Sequence, residues 1–396
     1  MDRTRSWALW VLLALPPLLA AFFVGGTDIG GGSVFPWDPR MVDFEVYRRT
    51  GELVLTGGHI FATEGLPWVY PPFAALLAAL LALPPWPVIT ALWVGAGVAA
   101  MAAILYRLGL SGWRLSLALT LVILFVAPVR QTIAFGQLGI LLVAAAVLDS
   151  MPGPRVLRRR LVPEGWLTGL ATAVKLTPAV IAVYNFLAGK RKASYVAFAA
   201  FLVSTVIGFV FLFSDSLSYW TKLGGGDSGT NNGIIYGANQ SVLAVWARVN
   251  AISSMGGIWL SGLVLILGLW ASVLMQRRGQ AELALCLAGL TGLLVSPISW
   301  SHHYVWLVPL AVVLWQHREL PGYLRWPALA YTAWGALAPF MWVRMGGDIE
   351  YVYTLGEQLI TNAGPVAGVL VLAGSAATAL GPWGRAAARF PRPIEG

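Results

Sequence analysis

Apolar runs of about 20 residues recur along the chain, and short polar segments rich in arginine separate them. Residues 7–24, 88–106 and 193–213 are three such runs. A helix of about 20 apolar residues spans the hydrocarbon core of a bilayer. The pattern therefore predicts an all-α polytopic membrane protein, with residues 1–396 forming a single integral membrane domain.

The basic clusters predict how the chain is oriented. Short cytoplasmic loops of membrane proteins carry an excess of Lys and Arg. This rule places residues 155–160 and 190–192 inside, with both termini cytoplasmic. The apolar run at 71–83 lies between proline pairs and is short for a span. We interpret it as an interfacial helix, so the first external loop covers residues 25–87.

The apolar segment at 164–188 is compatible with two cytoplasmic basic clusters only if its helix is interrupted. Residues 164–188 have basic clusters on both sides, so a single span would place one cluster outside. Pro178 interrupts a helix, and broken helices are tolerated where they line a protein cavity. We therefore predict a pair of short helices here. Residues 304–396 form the C-terminal helices, and the total is about 12 membrane helices, counting the two short ones.

Composition restricts the remaining possibilities. The net charge is +9, but the basic residues occur between apolar runs, as expected of membrane topology rather than of nucleic-acid binding. We therefore expect membrane lipids, and no nucleic acid, as partners. Cys286 is the only cysteine, which excludes an intrachain disulfide and a cysteine-based metal site.

Asp43 is the first candidate for chemistry, because charge is scarce in this chain. It lies just after the first span, between the apolar Val42 and Phe44. Partial burial raises the proton affinity of a carboxylate and suits it to general-base catalysis. An aspartate that caps a helical turn is the alternative. Asp43 and Glu45 form an Asp-x-Glu pair, so binding of a divalent ion by these two carboxylates is a further alternative. We nevertheless predict neither a metal nor a cofactor.

Lys175 is the second candidate. An unpaired ammonium in hydrocarbon costs at least about 2.5 kcal/mol, so an anionic partner is expected. A lipid phosphate and a buried acid both satisfy that need. His302 and His303 stand at the external end of a later span and suit phosphate hydrogen bonding or proton exchange. Two interfacial histidines in an aromatic belt are the alternative there.

Other polar side chains fall on the same external side of this topology, and a shared site is the simplest explanation. We expect Arg130, from its position in the chain, to face a bound phosphate group. The remaining candidates for substrate binding are Glu45, Tyr70, Gln137, Asn239, Gln240 and Trp300.

Six short motifs in this order resemble those of glycosyltransferase family 87, the actinobacterial GT-C enzymes. They contain Asp43-Phe-x-Val-Tyr, Tyr70-Pro-Pro, Phe135-Gly-Gln, Lys175-Leu-Thr-Pro, Asn239-Gln-Ser and Ser296-Pro-Ile-Ser-Trp-Ser-His-His. The resemblance covers residues 41–303.

The resemblance implies a GT-C fold, with the catalytic Asp43 in the first external loop. It also implies that Lys175 and a histidine of the 302–303 pair bind the phosphate of a polyprenyl-phosphate-mannose donor. The acceptor is then a lipid-anchored glycan of phosphatidylinositol mannoside or lipomannan synthesis, which receives mannose in α-1,2 linkage. The site is expected on the extracytoplasmic side of the plasma membrane.

Two alternatives stay open. A decaprenyl-phosphate-arabinose-dependent arabinofuranosyltransferase shares the family and its motifs. A transporter or lipid flippase also uses broken helices and a buried lysine. The sequence shows no internal repeat, which argues against the transporter.

Overall fold

The protein is a bundle of α-helices of very unequal length. The computed structural model describes residues 3–28, 33–35, 38–62, 65–226, 233–250 and 255–384. The first helices are α1 Arg3–Gly25, α2 Val42–Thr56, α3 Pro72–Ala82, α4 Trp86–Arg107, α5 Gly112–Phe125, α6 Ala127–Phe135, α7 Gly139–Ser150, α8 Trp166–Val174 and α9 Ala179–Leu187. The others are α10 Arg191–Phe211, α11 Phe213–Gly224, α12 Val242–Val249, α13 Met255–Arg277, α14 Ala281–Val295, α15 Leu307–Gln316, α16 Gly322–Leu337 and α17 Leu355–Leu380. A 3₁₀ helix, Ser301–Trp306, precedes α15.

Several helices have the length and composition of membrane spans. Four of those described, α4, α10, α13 and α17, are long and apolar enough to cross a bilayer, and α5 with α6 counts as a fifth if that bent pair is one span. The multi-pass, all-helical architecture agrees with the apolar pattern of the sequence. The C-terminus, which is predicted to be cytoplasmic, falls in residues 385–396, outside the described residues.

Some segments that read as loops are helical. Residues 127–137, where Pro128 would also suit a turn, contain α6, which is bent by 77° from the end of α5. Pro128 lies in the first turn of α6, where its missing N–H costs no hydrogen bond. The stretch after α10 likewise contains the helices α11 and α12.

Close helix contacts fix the position of α2. Gly51 of α2 lies against the backbone of α3, and a Cβ at this position would stand 2.2 Å from the carbonyl oxygen of Ala78. Gly136 ends α6 in the left-handed conformation, with φ of 68°. A Cβ there would lie 2.4 Å from the Cβ of Phe44 in α2. Both glycines allow α2 to pack closer than any larger residue would permit.

A buried carboxylate fixes the start of α8. Asp149, in the last turn of α7, accepts hydrogen bonds from the backbone N–H groups of Gly165 and Thr168, and from the Thr168 hydroxyl at 2.8 Å. Arg160 Nη2 donates to the same carboxylate at 2.8 Å. The N-terminal N–H groups of a helix have no partner within the helix, so Asp149 supplies an acceptor for two of them and forms an ion pair with Arg160.

Replacing Gly136 with alanine is expected to destabilise the protein more than the same change at Gly57. Both residues have a positive φ, so alanine is strained at either position. Gly57 has open space where a Cβ would stand, whereas Gly136 faces Phe44. The overpacking should cost about 1–3 kcal/mol beyond the backbone strain. Thermal unfolding of the two variants in detergent measures this, and equal losses would show that α2 does not depend on the close approach.

Candidate active site

Asp43 lies in the first turn of α2, where the chain enters the helix through a strained residue. The N-cap is Met41, with φ of 37° and ψ of 62°, and no side chain caps the helix. A non-glycine residue in this region costs about 1–3 kcal/mol and is typical of functional sites. Asp43 is partly buried, and its carboxyl hydrogen-bonds the side chain of Gln137. It is therefore turned into the protein, and it is not the N-cap residue.

The surroundings of Asp43 favour a basic carboxylate. Burial raises the pKa of Asp43 above its ordinary value, while the hydrogen bond from Gln137 and the charge of Lys175 oppose the shift. The structure thus brings the two principal candidates, Asp43 and Lys175, close enough for their charges to interact.

Lys175 occupies the break between α8 and α9. Its backbone is extended, with φ of −150° and ψ of 130°, and Pro178 begins the next helix. Its ammonium lies 2.9 Å from Nε2 of His303 and 5.3 Å from the ring centre of Tyr70. An ammonium only donates, so Nε2 of His303 accepts and this imidazole is neutral. Lys175 and His303 thus form a cationic pair beside Asp43.

His302 faces a different direction from His303. The two rings are nearly perpendicular, with centres 4.6 Å apart, and His302 also packs edge-on against Phe135. Its Nε2 is buried and has no hydrogen-bond partner among the described residues. Its backbone oxygen accepts from the Thr132 hydroxyl at 2.8 Å, which ties the 3₁₀ helix to α6.

Two predicted residues lie away from this cluster. Glu45 is exposed, and it faces Arg49 one turn along α2, at 4.0 Å. Arg130 is exposed on α6. Within the described part of the chain, no group of three His, Cys, Asp or Glu side chains is placed to hold a metal ion.

Three further predicted residues hold a loop in place. The Asn239 side chain donates to the backbone oxygens of Ile234 and Pro297, and Asn239 forms an isolated β-bridge with Trp300. The Gln240 side chain donates to the backbone oxygens of Gly237 and Thr361. These hydrogen bonds hold the segment that precedes the 3₁₀ helix Ser301–Trp306. They therefore help to position His302 and His303 without contacting them.

Tyr47 is a site residue that the sequence analysis did not single out. Its hydroxyl donates to Oε1 of Gln137 at 3.0 Å and lies 3.1 Å from the Tyr70 hydroxyl. A spacing of four residues from Asp43 puts both side chains on one face of α2. That spacing was the available signal, but an aromatic residue at helical spacing is equally typical of a packed core.

Two cavities are lined by residues at the break between α8 and α9. One, of about 540 Å³ including space open to the outside, is lined by Lys175, His303 and small residues such as Gly139 and Gly292. The other, of about 840 Å³ on the same measure, is a mainly apolar groove between α3, α4, α7 and α8 that begins at Tyr47 and includes Val174. A carboxylate, a cationic pair and two apolar spaces together suit proton abstraction from, and anion binding to, amphipathic substrates.

Comparison with known proteins identifies the family of this chain. The sequence profile of glycosyltransferase family 87 matches residues 68–297. The chain belongs to glycosyltransferase family 87. One relative of this family 87 protein is the polyprenol-phosphate-mannose-dependent alpha-(1-2)-phosphatidylinositol mannoside mannosyltransferase of Mycobacterium tuberculosis. It is 30% identical over 404 residues, which cover 89% of this chain and 90% of the relative.

Two other relatives have similar names. The enzyme of the same name from Mycolicibacterium smegmatis is 31% identical over 78% of this chain and 76% of its own length. A polyprenol-phosphate-mannose-dependent alpha-(1-2)-phosphatidylinositol pentamannoside mannosyltransferase of Mycobacterium tuberculosis is 33% identical over 70% of this chain and 67% of its own length. No solved structure matches this family 87 chain.

The raised pKa of Asp43 predicts an acid limb in the pH profile of glycosyl transfer. A general base acts only when ionised, so transfer should fall as the pH drops through the pKa of Asp43. Burial moves that fall to a higher pH than for an exposed aspartate. The measurement is kcat/KM against pH, with tryptophan fluorescence at each pH as a control for unfolding. A fall only where an exposed aspartate titrates would contradict the burial of Asp43.

Proposed function

We propose that this chain is an inverting mannosyltransferase that uses a polyprenyl-phosphate-mannose donor. Its acceptor is a hydroxyl of a lipid-anchored mannoside, with α-1,2 linkage, in phosphatidylinositol mannoside or lipomannan synthesis. The observation that carries the proposal is the approach of Asp43 to the Lys175–His303 pair. Family membership and the names of the relatives support the same reaction.

Asp43 acts as the base. Its carboxylate takes the proton of the acceptor hydroxyl while that oxygen attacks the anomeric carbon of mannose. The bond between this carbon and the phosphate oxygen breaks on the opposite face, so a β-linked donor gives an α-linked product. The products are the extended glycolipid and polyprenyl phosphate, and the proton stays on Asp43 until it is released.

Lys175 and His303 serve the leaving group. Negative charge accumulates on the phosphate as the glycosidic bond breaks, and a fixed cation at that place stabilises the transition state. The ammonium of Lys175 is held by His303 at 2.9 Å, so it is oriented before the donor arrives. His302 has a buried Nε2 without a partner, which is a second group available to a phosphate oxygen.

The two cavities suit two lipid substrates. Lys175 lines one of them, and its neighbour Val174 lines the other. An apolar groove beside a charged centre accommodates a lipid chain while its phosphate remains at the cations. This arrangement supports a donor and an acceptor that both reach the site from the bilayer.

The proposal includes the membrane arrangement. We infer a GT-C fold with about 12 membrane helices, both termini in the cytoplasm and the site on the extracytoplasmic side of the plasma membrane. Short apolar helices such as α3, α7 and α14 supplement the long ones. The basic loop around Arg160 marks the cytoplasmic side by the positive-inside rule.

Asp43→Asn is expected to abolish transfer while the fold is kept. Loss of a general base lowers the rate typically by 10²- to 10⁴-fold. Glu52→Gln is the matched control, because Glu52 is an exposed acid on the same helix that pairs with Arg48. The assay follows mannose transfer from purified polyprenyl-phosphate-mannose in detergent, with thermal unfolding of both variants. Near wild-type turnover of Asp43→Asn would remove Asp43 from the mechanism.

Lys175→Gln should lower kcat by about 10²- to 10³-fold, because a neutral amide stabilises a leaving phosphate less than an ammonium does. Lys222→Gln is the control, since Lys222 lies on α11 over the ring of Phe61. Decaprenyl-phosphate-arabinose is offered in parallel as a donor. Transfer of arabinose in preference to mannose would overturn the proposed donor, while an unchanged kcat of Lys175→Gln would overturn the role of the lysine.

A further inference from the structure

Three buried polar side chains, those of Tyr47, Tyr70 and Gln137, lie near Asp43. Tyr47 comes from α2, Tyr70 precedes α3, and Gln137 follows α6. Their exposed fractions are 3%, 6% and 7%. Buried polar groups are retained where they have partners, so the contacts within this trio indicate what it does.

The two hydroxyls converge on one end of the Gln137 amide. Tyr47 donates to Oε1 at 3.0 Å, and Tyr70 donates to the same oxygen at 3.4 Å. The tyrosine hydroxyls lie 3.1 Å from each other. A carbonyl oxygen has two lone pairs, so it can accept both hydrogen bonds at once.

The other end of the amide faces Asp43. The Gln137 side chain lies close enough to Asp43 to lower the pKa of the carboxyl, and an ionised carboxylate only accepts hydrogen bonds. The amide must therefore present its NH₂ group to Asp43 and its oxygen to the tyrosines. Its orientation is fixed from both ends, because a flipped amide would place an oxygen against the carboxylate.

We propose that Gln137 is a positioning residue, and that Tyr47 and Tyr70 lock its amide so that it holds the Asp43 carboxylate in one orientation. This inference rests on the proposed function, in which Asp43 is the base. It gives Tyr70 and Gln137 a role different from the substrate contact expected from the sequence, since their polar atoms point at one another and at Asp43.

Orientation matters because one carboxylate oxygen must meet the acceptor proton. With one oxygen held by the Gln137 amide, the other is left to accept that proton. A displacement of about 1 Å in such a group can cost 10²-fold in rate. Lys175 is the charged group that faces Asp43, and the hydroxyls of Tyr47 and Tyr70 are the other titratable groups near it. None of them can replace the amide, because the lysine is held by His303 and the hydroxyls by Gln137.

The test uses Tyr47→Phe with Tyr70→Phe as a double variant, and Gln137→Met. The phenylalanines keep the ring contacts with Trp68 and Trp93 and remove only the hydroxyls. We expect kcat for mannose transfer to fall about 10- to 100-fold, with KM for both lipids nearly unchanged. In Gln137→Met the acid limb should also move to higher pH, because the ionised carboxylate loses its donor.

Tyr184→Phe is the matched control. The Tyr184 hydroxyl donates to Oε1 of Gln276 at 2.7 Å, so it is a buried tyrosine–glutamine pair outside the Asp43 cluster. This variant should lose stability comparably while keeping kcat and the acid limb. If Gln137→Met does not fold, the double phenylalanine variant, which keeps the rings, decides the question.

The outcomes separate this inference from the proposed function. A raised KM with unchanged kcat and acid limb would make Tyr70 and Gln137 substrate contacts and overturn the positioning role. Wild-type kinetics in the double variant and in Gln137→Met would overturn it as well. Either result leaves Asp43 as the base as long as Asp43→Asn is inactive, whereas an active Asp43→Asn overturns the proposed function itself.

Discussion

The attraction between the Asp43 carboxylate and the Lys175 ammonium is the interaction on which this site depends. Each charge comes from a helix end and is partly removed from water, and neither would be stable there alone. The fold brings them together by two local devices. A strained Met41 starts α2, and a break before Pro178 separates α8 from α9. Packing around Met41 and around the break between α8 and α9 offsets the cost of both conformations.

The network around these charges explains why so many polar residues surround a small reaction centre. His303 fixes the lysine, Gln137 contacts the aspartate, and Thr132 ties the histidine helix to α6. Asn239 and Gln240 in turn secure the segment that precedes the histidine helix. A site assembled from distant parts of the chain in this way needs internal polar bonds, because buried polar groups left unpaired are costly.

The sequence predicted the all-helical membrane architecture, because apolar run length is a direct physical requirement of the bilayer. Scarcity of charge likewise directed attention to Asp43 and Lys175, which the structure brings together. It did not predict that α6 is a helix, since Pro128 is equally typical of a turn and of a first helical turn. Nor could it separate Tyr47 from a core aromatic residue. It also could not show that the Asn239 amide donates to the backbone oxygens of Ile234 and Pro297, because the same side chain suits binding and structure.

In the proposed reaction, the shortness of α8 sets the depth at which the sugar is delivered. Its nine residues make a helix of about 13 Å, less than half of a hydrocarbon layer of about 30 Å. A helix of this length cannot cross the bilayer, so a lysine at its end lies below the headgroups when the helix begins at a membrane surface. A water-soluble nucleotide sugar would have to shed its hydration shell to descend that far. A donor whose lipid tail already lies in the bilayer can move its headgroup to that depth at a much smaller free-energy cost. A buried site at Lys175 therefore favours lipid-linked sugar donors.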